Sequence, residues 1–223
     1  MLLVRGPIEL VIFDLDGTLA ETREDLTEAV SAMLRKRALP EIGVADLRRL
    51  VGDGARRLVE KALAPHGSHD VDVALLDFLV AYDGCLLHRT RLRAGALEAL
   101  AACRPAKVAV CTNKPRRSTG RILEALGLLA GLDAWLAGDD LPVKKPDPLP
   151  IVTLAERFSV RVDRTVVVGD GLPDVGAART AGATSVALLD GYTDADELRA
   201  ARPDLAFDDL PAATRWMEAQ IRA

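Results

Sequence analysis

The chain contains few cysteines and no cysteine motif. Its three cysteines, Cys85, Cys103 and Cys111, are odd in number, lie far apart and include no Cys-x-x-Cys pair. A disulfide framework or a zinc ribbon normally needs paired, regularly spaced cysteines. Their absence predicts a reduced, cytoplasmic compartment, and Cys111, inside an apolar run, is expected to be a small core residue.

Long apolar runs and an excess of basic charge are also missing. The start of the chain, Met1 to Pro7, is broken by Arg5, Gly6 and Pro7 before a signal-length apolar region forms. No stretch reaches the roughly 18 apolar residues that a membrane span requires. The formal net charge of -4 and the sequence pI of about 5.5 argue against a nucleic-acid surface. We therefore expect no membrane and no nucleic-acid partner.

The spacing of the apolar residues changes at about Gly95. The 223 residues, 49% of them hydrophobic, are enough for one large domain or for a domain with a substantial insert. Between Thr18 and about Arg93 the spacing is helical without a strand pattern, which predicts an all-helical insert; Thr22 and Asp25 resemble a capping box at its first helix. After Gly95 strands and helices alternate, which predicts an α/β fold with a Rossmann-like parallel sheet and helices on both faces.

The predicted elements of this α/β region can be given by number. Strands are predicted at 10–13, 107–111, 134–137, 165–169 and 184–189, and helices at 95–103, 115–126, 148–158 and 173–181. Helices of the insert are predicted at 22–38, 44–50, about 58–63 and 70–89.

Polar and charged residues follow three of the predicted strands. Asp14 and Asp16 come directly after strand 10–13, in the sequence Asp-Leu-Asp-Gly-Thr. The corresponding residues near the other two strand ends are Thr112, Asn113, Asp170 and Asp174, and between these strands lie Lys144 and Lys145. Because ligands of open parallel sheets bind beyond the carboxyl ends of the strands, we expect these groups to share one site.

This set of side chains is typical of a site for a hard cation and a phosphate. Mg²⁺ prefers oxygen ligands and binds substrate phosphate directly. A carboxylate is already ionised at neutral pH, so it can attack phosphorus without a base to activate it. Positive charge from a metal ion and a lysine is needed to offset the repulsion between two anions.

The motifs and their order resemble those of the haloacid dehalogenase superfamily over nearly the whole chain. The resemblance implies that Asp14 is the nucleophile that forms an aspartyl-phosphate. It also implies that Asp16 protonates the leaving alcohol and then activates water. Thr112 would hydrogen-bond the phosphoryl group with Asn113 beside it, and Lys145 would neutralise nucleophile and phosphate.

The resemblance further implies a Mg²⁺ site made by Asp14, Asp16, Asp170 and Asp174. Asp16 would contribute mainly its backbone carbonyl, and Asp174 would bind the metal directly or through water. Asp16 also favours phosphoryl transfer over dehalogenation, because the dehalogenase branch generally lacks this acid. Lys114 and Lys144 carry no role in this scheme and are expected to be solvated surface lysines.

The helical insert resembles the mobile cap of this superfamily. The implied domains are a core formed by residues 1–18 and 94–223 and a cap, a C1-type insert, formed by residues 19–93. Hinges would fall near residues 19–22 and 91–95. A cap closes over the substrate, excludes water and supplies specificity contacts.

Within the cap, the sequence Val-Gly-Asp-Gly-Ala-Arg-Arg-Leu at 51–58 resembles the loop and helix start of phosphoglycolate phosphatases. Gly54 would allow close approach of the backbone to the substrate, and Arg56, rather than Arg57, would grip an anionic group. The chain departs from this subfamily at Ala20-Glu21-Thr22, where an Asp-Ser pair is usual, and at Gly171, where Ser is usual.

The resulting prediction is a Mg²⁺-dependent phosphatase for a small phosphorylated metabolite, first of all 2-phosphoglycolate. Three alternatives remain open: a sugar phosphate as substrate, a phosphomutase or phosphonate hydrolase on the same scaffold, and a non-catalytic interaction module. A phosphonate hydrolase would need a Schiff-base lysine in the cap, where Lys36 and Lys61 are the candidates. Both a monomer and a homodimer are compatible with the sequence.

Overall fold

The computed structural model describes residues 6–222, so the predicted break of the N-terminal apolar segment at Arg5 lies outside the described residues. We number strands and α-helices in chain order. The strands are β1 (Leu10–Phe13), β2 (Ala20–Glu21), β3 (Arg91–Leu92), β4 (Lys107–Cys111), β5 (Ala134–Leu136), β6 (Thr165–Gly169), β7 (Thr184–Leu188) and β8 (Leu205–Phe207). The helices are α1 (Arg23–Arg35), α2 (Val44–Leu47), α3 (Ala55–Leu63), α4 (Val71–Cys85), α5 (Ala96–Ala102), α6 (Arg116–Ala125), α7 (Leu149–Arg157), α8 (Leu172–Ala181), α9 (Ala195–Ala200) and α10 (Leu210–Ile221).

Six of these strands form one parallel sheet in the order β5-β4-β1-β6-β7-β8. The chain runs outward from β1 to β4 and β5, and then returns to the other side of β1 for β6, β7 and β8. Phe13, the last residue of β1, is in register with Val110 of β4 and Val168 of β6. The three strands therefore end at the same level, which is where ligands bind in sheets of this kind.

Both faces of the sheet are covered by helices. Side chains alternate between the faces of a strand, and in β1 Leu10 and Ile12 face one core while Val11 and Phe13 face the other. The first core contains Ile151, Leu154 and Ala155 of α7 and Ala177 and Ala178 of α8. The second contains Leu100 of α5, Ile122 and Leu123 of α6, and Leu210 and Met217 of α10. This arrangement confirms the predicted α/β fold class.

The segment between β1 and α5 is helical, as predicted, with one addition. Helices α1 to α4 lie between β2 and β3, which pair antiparallel through Ala20 with Leu92 and Glu21 with Arg91. Two-residue strands are too short to give an alternating pattern, so the sequence did not reveal them. The exact domain boundaries at residues 18 and 94 remain a prediction.

Asp25 has a different role from the one expected. Thr22 stands at the N-cap of α1, but no side-chain cap hydrogen bond forms there. The Asp25 carboxylate is buried and accepts hydrogen bonds from the backbone N–H groups of Leu87, Arg89 and Thr90. The predicted capping box is therefore wrong, and Asp25 instead holds the segment that follows α4 against α1.

The chain after β7 adds elements that the sequence pattern did not reveal. Strand β8 extends the sheet beside β7, and α10 packs against the same core as β1. The three cysteines are free and buried, in accord with the expectation for Cys111. Among the helices of residues 6–222, none is long and apolar enough to cross a membrane.

Candidate active site

A pocket lies at the carboxyl ends of β1, β4 and β6, and residues of the helical insert form its opposite wall. The pocket brings together most of the side chains that the sequence singled out. These are Asp14, Asp16, Gly54, Thr112, Asn113, Lys145, Asp170 and Asp174. The wall formed by the insert is mainly apolar and includes Leu26, Val51, Leu58, Phe78 and Tyr82.

Lys145 lies between two of the acids. Its Nζ atom is 2.9 Å from Oδ1 of Asp14 and 2.6 Å from Oδ1 of Asp174, and it also donates to the backbone carbonyl of Cys111. The side chain of Lys145 is only 2% exposed. Burial alone would lower the pKa of Lys145, but the charges of Asp14 and Asp174 outweigh it and raise the pKa. Lys145 is thus a permanent cation beside the expected nucleophile.

Asp14 and Asp170 are acids whose charges disfavour each other. Burial raises the pKa of Asp14 to about 6, against the lowering effect of Lys145. Burial, followed by the charge of Asp14, raises the pKa of Asp170 to about 7. Two nearby carboxylates with raised pKa values can bind a cation, because its positive charge offsets both the cost of burying them and the repulsion between them.

The position of Asp170 is set by hydrogen bonds and by glycines. Its carboxylate accepts from Oγ1 of Thr18 and from the backbone N–H of Tyr192, both at 2.7 Å. A Cβ atom on Gly17 would lie 2.2 Å from Oδ2 of Asp170, and one on Gly191 would lie 2.1 Å from its Cβ. Only glycine at these two positions leaves room for this carboxylate beside Asp14.

The four predicted metal-binding acids line one pocket, and the carboxylates of two of them are held by other partners. The Asp16 carboxylate is bonded to Lys114 and Thr22, and the Asp174 carboxylate is bonded to Lys145 and to the backbone N–H of Gly171. Within residues 6–222 no group of three or more His, Cys, Asp or Glu residues forms a metal-binding cluster. Asp14 and Asp170 together fit Mg²⁺, which is usually held by one or two carboxylates and keeps several waters.

Lys114 corrects one expectation. It was expected to be a solvated surface residue, but its side chain is 3% exposed and its Nζ atom lies 2.9 Å from Oδ2 and 3.1 Å from Oδ1 of Asp16. The ammonium group also lies 4.6 Å from the centre of the Tyr82 ring. Lys114 follows Thr112-Asn113 at the end of β4, so its position along the chain was the available signal.

Thr112 and Asn113 occupy the strand end between these two lysines. Both are buried, and Oγ1 of Thr112 accepts from the backbone N–H of Lys114 at 3.3 Å. The amide nitrogen of Asn113 donates to the backbone carbonyl of Gly52 at 2.9 Å and to that of Lys145 at 2.8 Å. Asn113 therefore connects the loop of the helical insert to the sheet domain.

The loop at 52–56 reaches the pocket, but its arginine does not. Gly54 has a φ of +85°, and a Cβ there would lie 2.9 Å from the backbone oxygen of Asn113, so glycine is needed for this close approach. Arg56 pairs with Asp72 at 2.5 Å, is half exposed and does not line the pocket. Arg57 pairs with Glu60 on the same helix.

Tyr192 is a pocket residue to which the sequence pattern assigned no role. Its hydroxyl group accepts from the backbone N–H of Thr22 at 2.7 Å and donates to Glu21 at 2.9 Å. Its backbone N–H binds Asp170. A lone tyrosine in a loop gives no local signal for this role, because its partners lie about 20 and 170 residues away.

A family profile described as haloacid dehalogenase-like hydrolase matches residues 8–182 of the chain. The chain belongs to this family. The match begins just before β1 and ends after α8, so it includes the three strand ends and the loop between β5 and α7 that supply the acids and lysines described above.

Several relatives match over most of their length. A phosphoglycolate phosphatase of Nitrosococcus oceani is 33% identical over 209 residues, which cover 91% of this chain and 93% of that protein. A phosphoglycolate phosphatase of Rhodospirillum rubrum is 36% identical over 218 residues, which cover 93% and 90% of the two chains. The crystal structure of a predicted phosphoglycolate phosphatase from Haemophilus somnus 129pt matches with a TM-score of 0.85 at 29% identity, covering 93% of this chain and 97% of that one.

These comparisons confirm the predicted family, the fold class and the prediction of a phosphatase on the haloacid dehalogenase-like scaffold. The individual roles of the site residues are not tested by them and remain predictions.

Proposed function

We propose that this haloacid dehalogenase-like hydrolase is a Mg²⁺-dependent phosphatase that hydrolyses a small phosphomonoester through an aspartyl-phosphate, with 2-phosphoglycolate as its substrate. The observation that carries the proposal is the placement of Lys145 between Asp14 and Asp174, with Asp170 beside them at the same edge of the sheet. A carboxylate held next to a buried cation, with a cation-binding acid as neighbour, is suited to attack on phosphorus.

The reaction would proceed in two displacements. In the first, a carboxylate oxygen of Asp14 forms a bond to phosphorus while the bond from phosphorus to the ester oxygen breaks, and Asp16 gives its proton to that oxygen. In the second, Asp16 takes a proton from a water molecule, the water oxygen bonds to phosphorus, and the bond to Asp14 breaks to release phosphate. Lys145 remains protonated throughout and offsets the negative charge on Asp14 and on the phosphoryl group.

Mg²⁺ would be held by the side chains of Asp14 and Asp170 and by the backbone carbonyl of Asp16. When bound, it supplies positive charge to the phosphoryl oxygens and orients them for in-line displacement. Asp174 acts through Lys145, because its carboxylate already binds that ammonium group at 2.6 Å.

Residues 19–93 would act as a cap over this site. The apolar side chains of the insert that line the pocket, Leu26, Leu58 and Phe78, exclude water from the reacting groups. The β2–β3 pair stands where the chain enters and leaves the insert, so the hinges are expected beside it.

The choice of 2-phosphoglycolate rests on the relatives, several of which carry the name phosphoglycolate phosphatase at 32% to 38% identity. The phosphonate hydrolase alternative gains no support, because Lys36 and Lys61 pair with Asp77 and Asp53 and do not line this pocket. A cytoplasmic location is part of the proposal, in accord with three free, buried cysteines.

A substrate panel with one active-site variant tests the proposal. The purified protein is assayed for phosphate release from about a hundred phosphorylated metabolites, with and without Mg²⁺. We expect Mg²⁺-dependent turnover with 2-phosphoglycolate among the best substrates. Asp14→Asn is expected to lower kcat at least about a thousand-fold, since it removes the nucleophile.

Asp208→Asn is the matched control, because Asp208 is exposed and does not line the pocket. It is expected to retain wild-type turnover. Full turnover in Asp14→Asn would refute the covalent mechanism. A clear preference of the wild type for a sugar phosphate would refute the substrate assignment. Absence of turnover on every phosphoester would refute the proposed phosphatase activity.

A further inference from the structure

Two cations line the pocket within the described part of the chain, and the proposed mechanism uses one of them. They are Lys145 and Lys114. Lys145 is fully engaged by Asp14, Asp174 and a backbone carbonyl. Lys114 is buried against Asp16, the residue proposed to protonate the leaving group.

The surroundings of Lys114 leave part of its ammonium group for a ligand. An ammonium group has three N–H donors, and the two oxygens of Asp16 at 2.9 and 3.1 Å accept at most two of them. The Tyr82 ring face, 4.6 Å away, provides no hydrogen-bond acceptor oxygen. Burying a lysine is costly, so a buried lysine beside a pocket with spare donor capacity favours an anionic ligand.

The second observation is the hydroxyl group of Tyr82. Tyr82 is 2% exposed and lines the same pocket. Its hydroxyl oxygen is buried and has no hydrogen-bond partner among residues 6–222. Buried polar groups are nearly always paired, and an unpaired one costs free energy. Tyr82 therefore adds a polar group with spare hydrogen-bonding capacity to the wall of the pocket that holds Lys114.

The geometry of the reaction places a second anionic group of the substrate beside Lys114. Asp16 is proposed to protonate the ester oxygen. In 2-phosphoglycolate that oxygen is attached to a CH₂ group, and the next carbon is the carboxylate. A cation that is hydrogen-bonded to Asp16 is therefore within reach of a carboxylate two bonds beyond the ester oxygen.

We propose that Lys114 binds the carboxylate of the substrate, with the hydroxyl group of Tyr82 as a second donor. This inference rests on the proposed phosphatase function and deepens it. It makes Lys114 the specificity-determining residue and selects phosphomonoesters with an anion on the carbon next to the ester-bearing carbon. It also replaces Arg56 in that role, because Arg56 pairs with Asp72 outside the pocket.

Two substrates that differ in one group test the inference. The first is 2-phosphoglycolate, and the second is 2-hydroxyethyl phosphate, in which a CH₂OH group replaces the carboxylate. The wild type is expected to prefer 2-phosphoglycolate by at least about ten-fold in kcat/KM. Lys114→Met, which keeps the length of the side chain, is expected to reduce this preference by about 10- to 100-fold, the size expected for a lost charged hydrogen bond.

The ratio of the two substrates separates recognition from positioning. If Lys114 only positions Asp16, kcat/KM falls by the same factor for both substrates and the preference is unchanged, which would overturn the inference. In Lys114→Met we expect the loss of preference to come from a higher KM for 2-phosphoglycolate. Lys114→Arg, which keeps a cation, is expected to retain part of the preference, and Tyr82→Phe to lose a few-fold of it.

Lys107→Met is the matched control, because Lys107 is a lysine that is 48% exposed and does not line the pocket. It is expected to keep the wild-type preference, and so is Arg56→Met. Collapse of the preference in either of these variants, with Lys114→Met unaffected, would overturn the inference.

Binding provides a readout that does not depend on turnover. In an Asp14→Asn background, calorimetry with each phosphoester gives Kd directly. Adding Lys114→Met is expected to raise the Kd of 2-phosphoglycolate by about 10- to 100-fold and to change the Kd of 2-hydroxyethyl phosphate by no more than about three-fold. An equal rise in the Kd of both ligands would overturn the inference. A wild type that prefers 2-hydroxyethyl phosphate would instead refute the proposed substrate itself.

Discussion

The hydroxyl group of Tyr192 donates a hydrogen bond of 2.9 Å to Oε1 of Glu21, although the two residues are 171 positions apart. The same hydroxyl accepts from the backbone N–H of Thr22, whose side chain donates to Asp16 at 2.7 Å. The backbone of Tyr192 holds Asp170. One tyrosine thus connects the proposed metal ligand, the proposed acid–base residue and the entrance to the helical insert.

Tyr192→Phe is expected to lower the free energy of unfolding by about 1–3 kcal/mol, because it leaves the Thr22 N–H and the Glu21 carboxylate without their buried partner. Urea unfolding at neutral pH measures the change. Tyr82→Phe is the control: its hydroxyl has no partner among the described residues, so its removal is expected to leave the free energy of unfolding unchanged or higher. Equal destabilisation by the two variants would contradict this account of Tyr192.

Glu21 is expected to make stability depend on pH on the acid side. Burial alone would raise the pKa of Glu21, but hydrogen bonds from Arg23 and Tyr192 outweigh it and lower the pKa below the ordinary 4.5. A carboxyl group with a lowered folded-state pKa stabilises the fold above its unfolded pKa, and this contribution is lost as the pH falls through the folded value.

The free energy of unfolding is therefore expected to fall less steeply below about pH 4.5 in Glu21→Gln than in the wild type. Urea titrations between pH 3 and pH 7 compare the two proteins. Glu98→Gln is a suitable control, since Glu98 is an exposed residue of α5. A wild-type slope in Glu21→Gln would show that this carboxylate is not stabilised by its partners.

The local pattern of apolar and polar residues was sufficient to predict the fold and the acids of the site. The strand Leu10–Phe13 is apolar throughout and is followed by Asp14 and Asp16, so both the buried strand and the polar strand end are visible within residues 10–16. The order of strands and helices then predicts the parallel sheet, and the sheet predicts that the strand ends meet.

Long-range contacts were not visible in the pattern. The family resemblance assigned Lys145 to the nucleophile, but nothing in the pattern distinguished Lys114 from a surface lysine. Only the structure shows that Lys114 is buried against Asp16. Asp25 has the spacing of a capping residue and instead binds the backbone of residues 87–90, more than 60 positions away. Such choices depend on tertiary partners rather than on neighbours in the chain.

Lys145→Met is expected to be costly for the fold as well as for turnover. It would leave the carboxylates of Asp14 and Asp174, 15% and 5% exposed, without their shared cation. Removing one partner of a buried ion pair typically costs about 3–5 kcal/mol. We expect a loss of that size in the free energy of unfolding in EDTA, and a fall in kcat of at least about a hundred-fold.

Lys107→Met is the control for this prediction. Lys107 pairs with Asp133 at 3.1 Å, but its side chain is 48% exposed, and surface pairs contribute at most about 1 kcal/mol. Its loss is expected to change the free energy of unfolding by no more than that and to leave kcat unchanged. A comparable loss of stability in both variants would argue against a buried triad at Lys145.

Gly17→Ala tests whether Asp170 holds the metal ion. Gly17 has a φ of +83°, and a Cβ atom there would lie 2.2 Å from Oδ2 of Asp170, so the carboxylate must move. The Mg²⁺ concentration for half-maximal activity is expected to rise at least about ten-fold, because displacing a metal-binding carboxylate weakens Mg²⁺ binding.

Gly127→Ala separates this effect from backbone strain. Gly127 also has a positive φ, of +69°, but no atom lies within 4 Å of its added Cβ. Gly127→Ala is expected to lose about 1–2 kcal/mol of stability with an unchanged Mg²⁺ requirement. If the Mg²⁺ requirement of Gly17→Ala is also unchanged, then Asp170 is not a ligand, and the glycine at position 17 serves only the turn after β1.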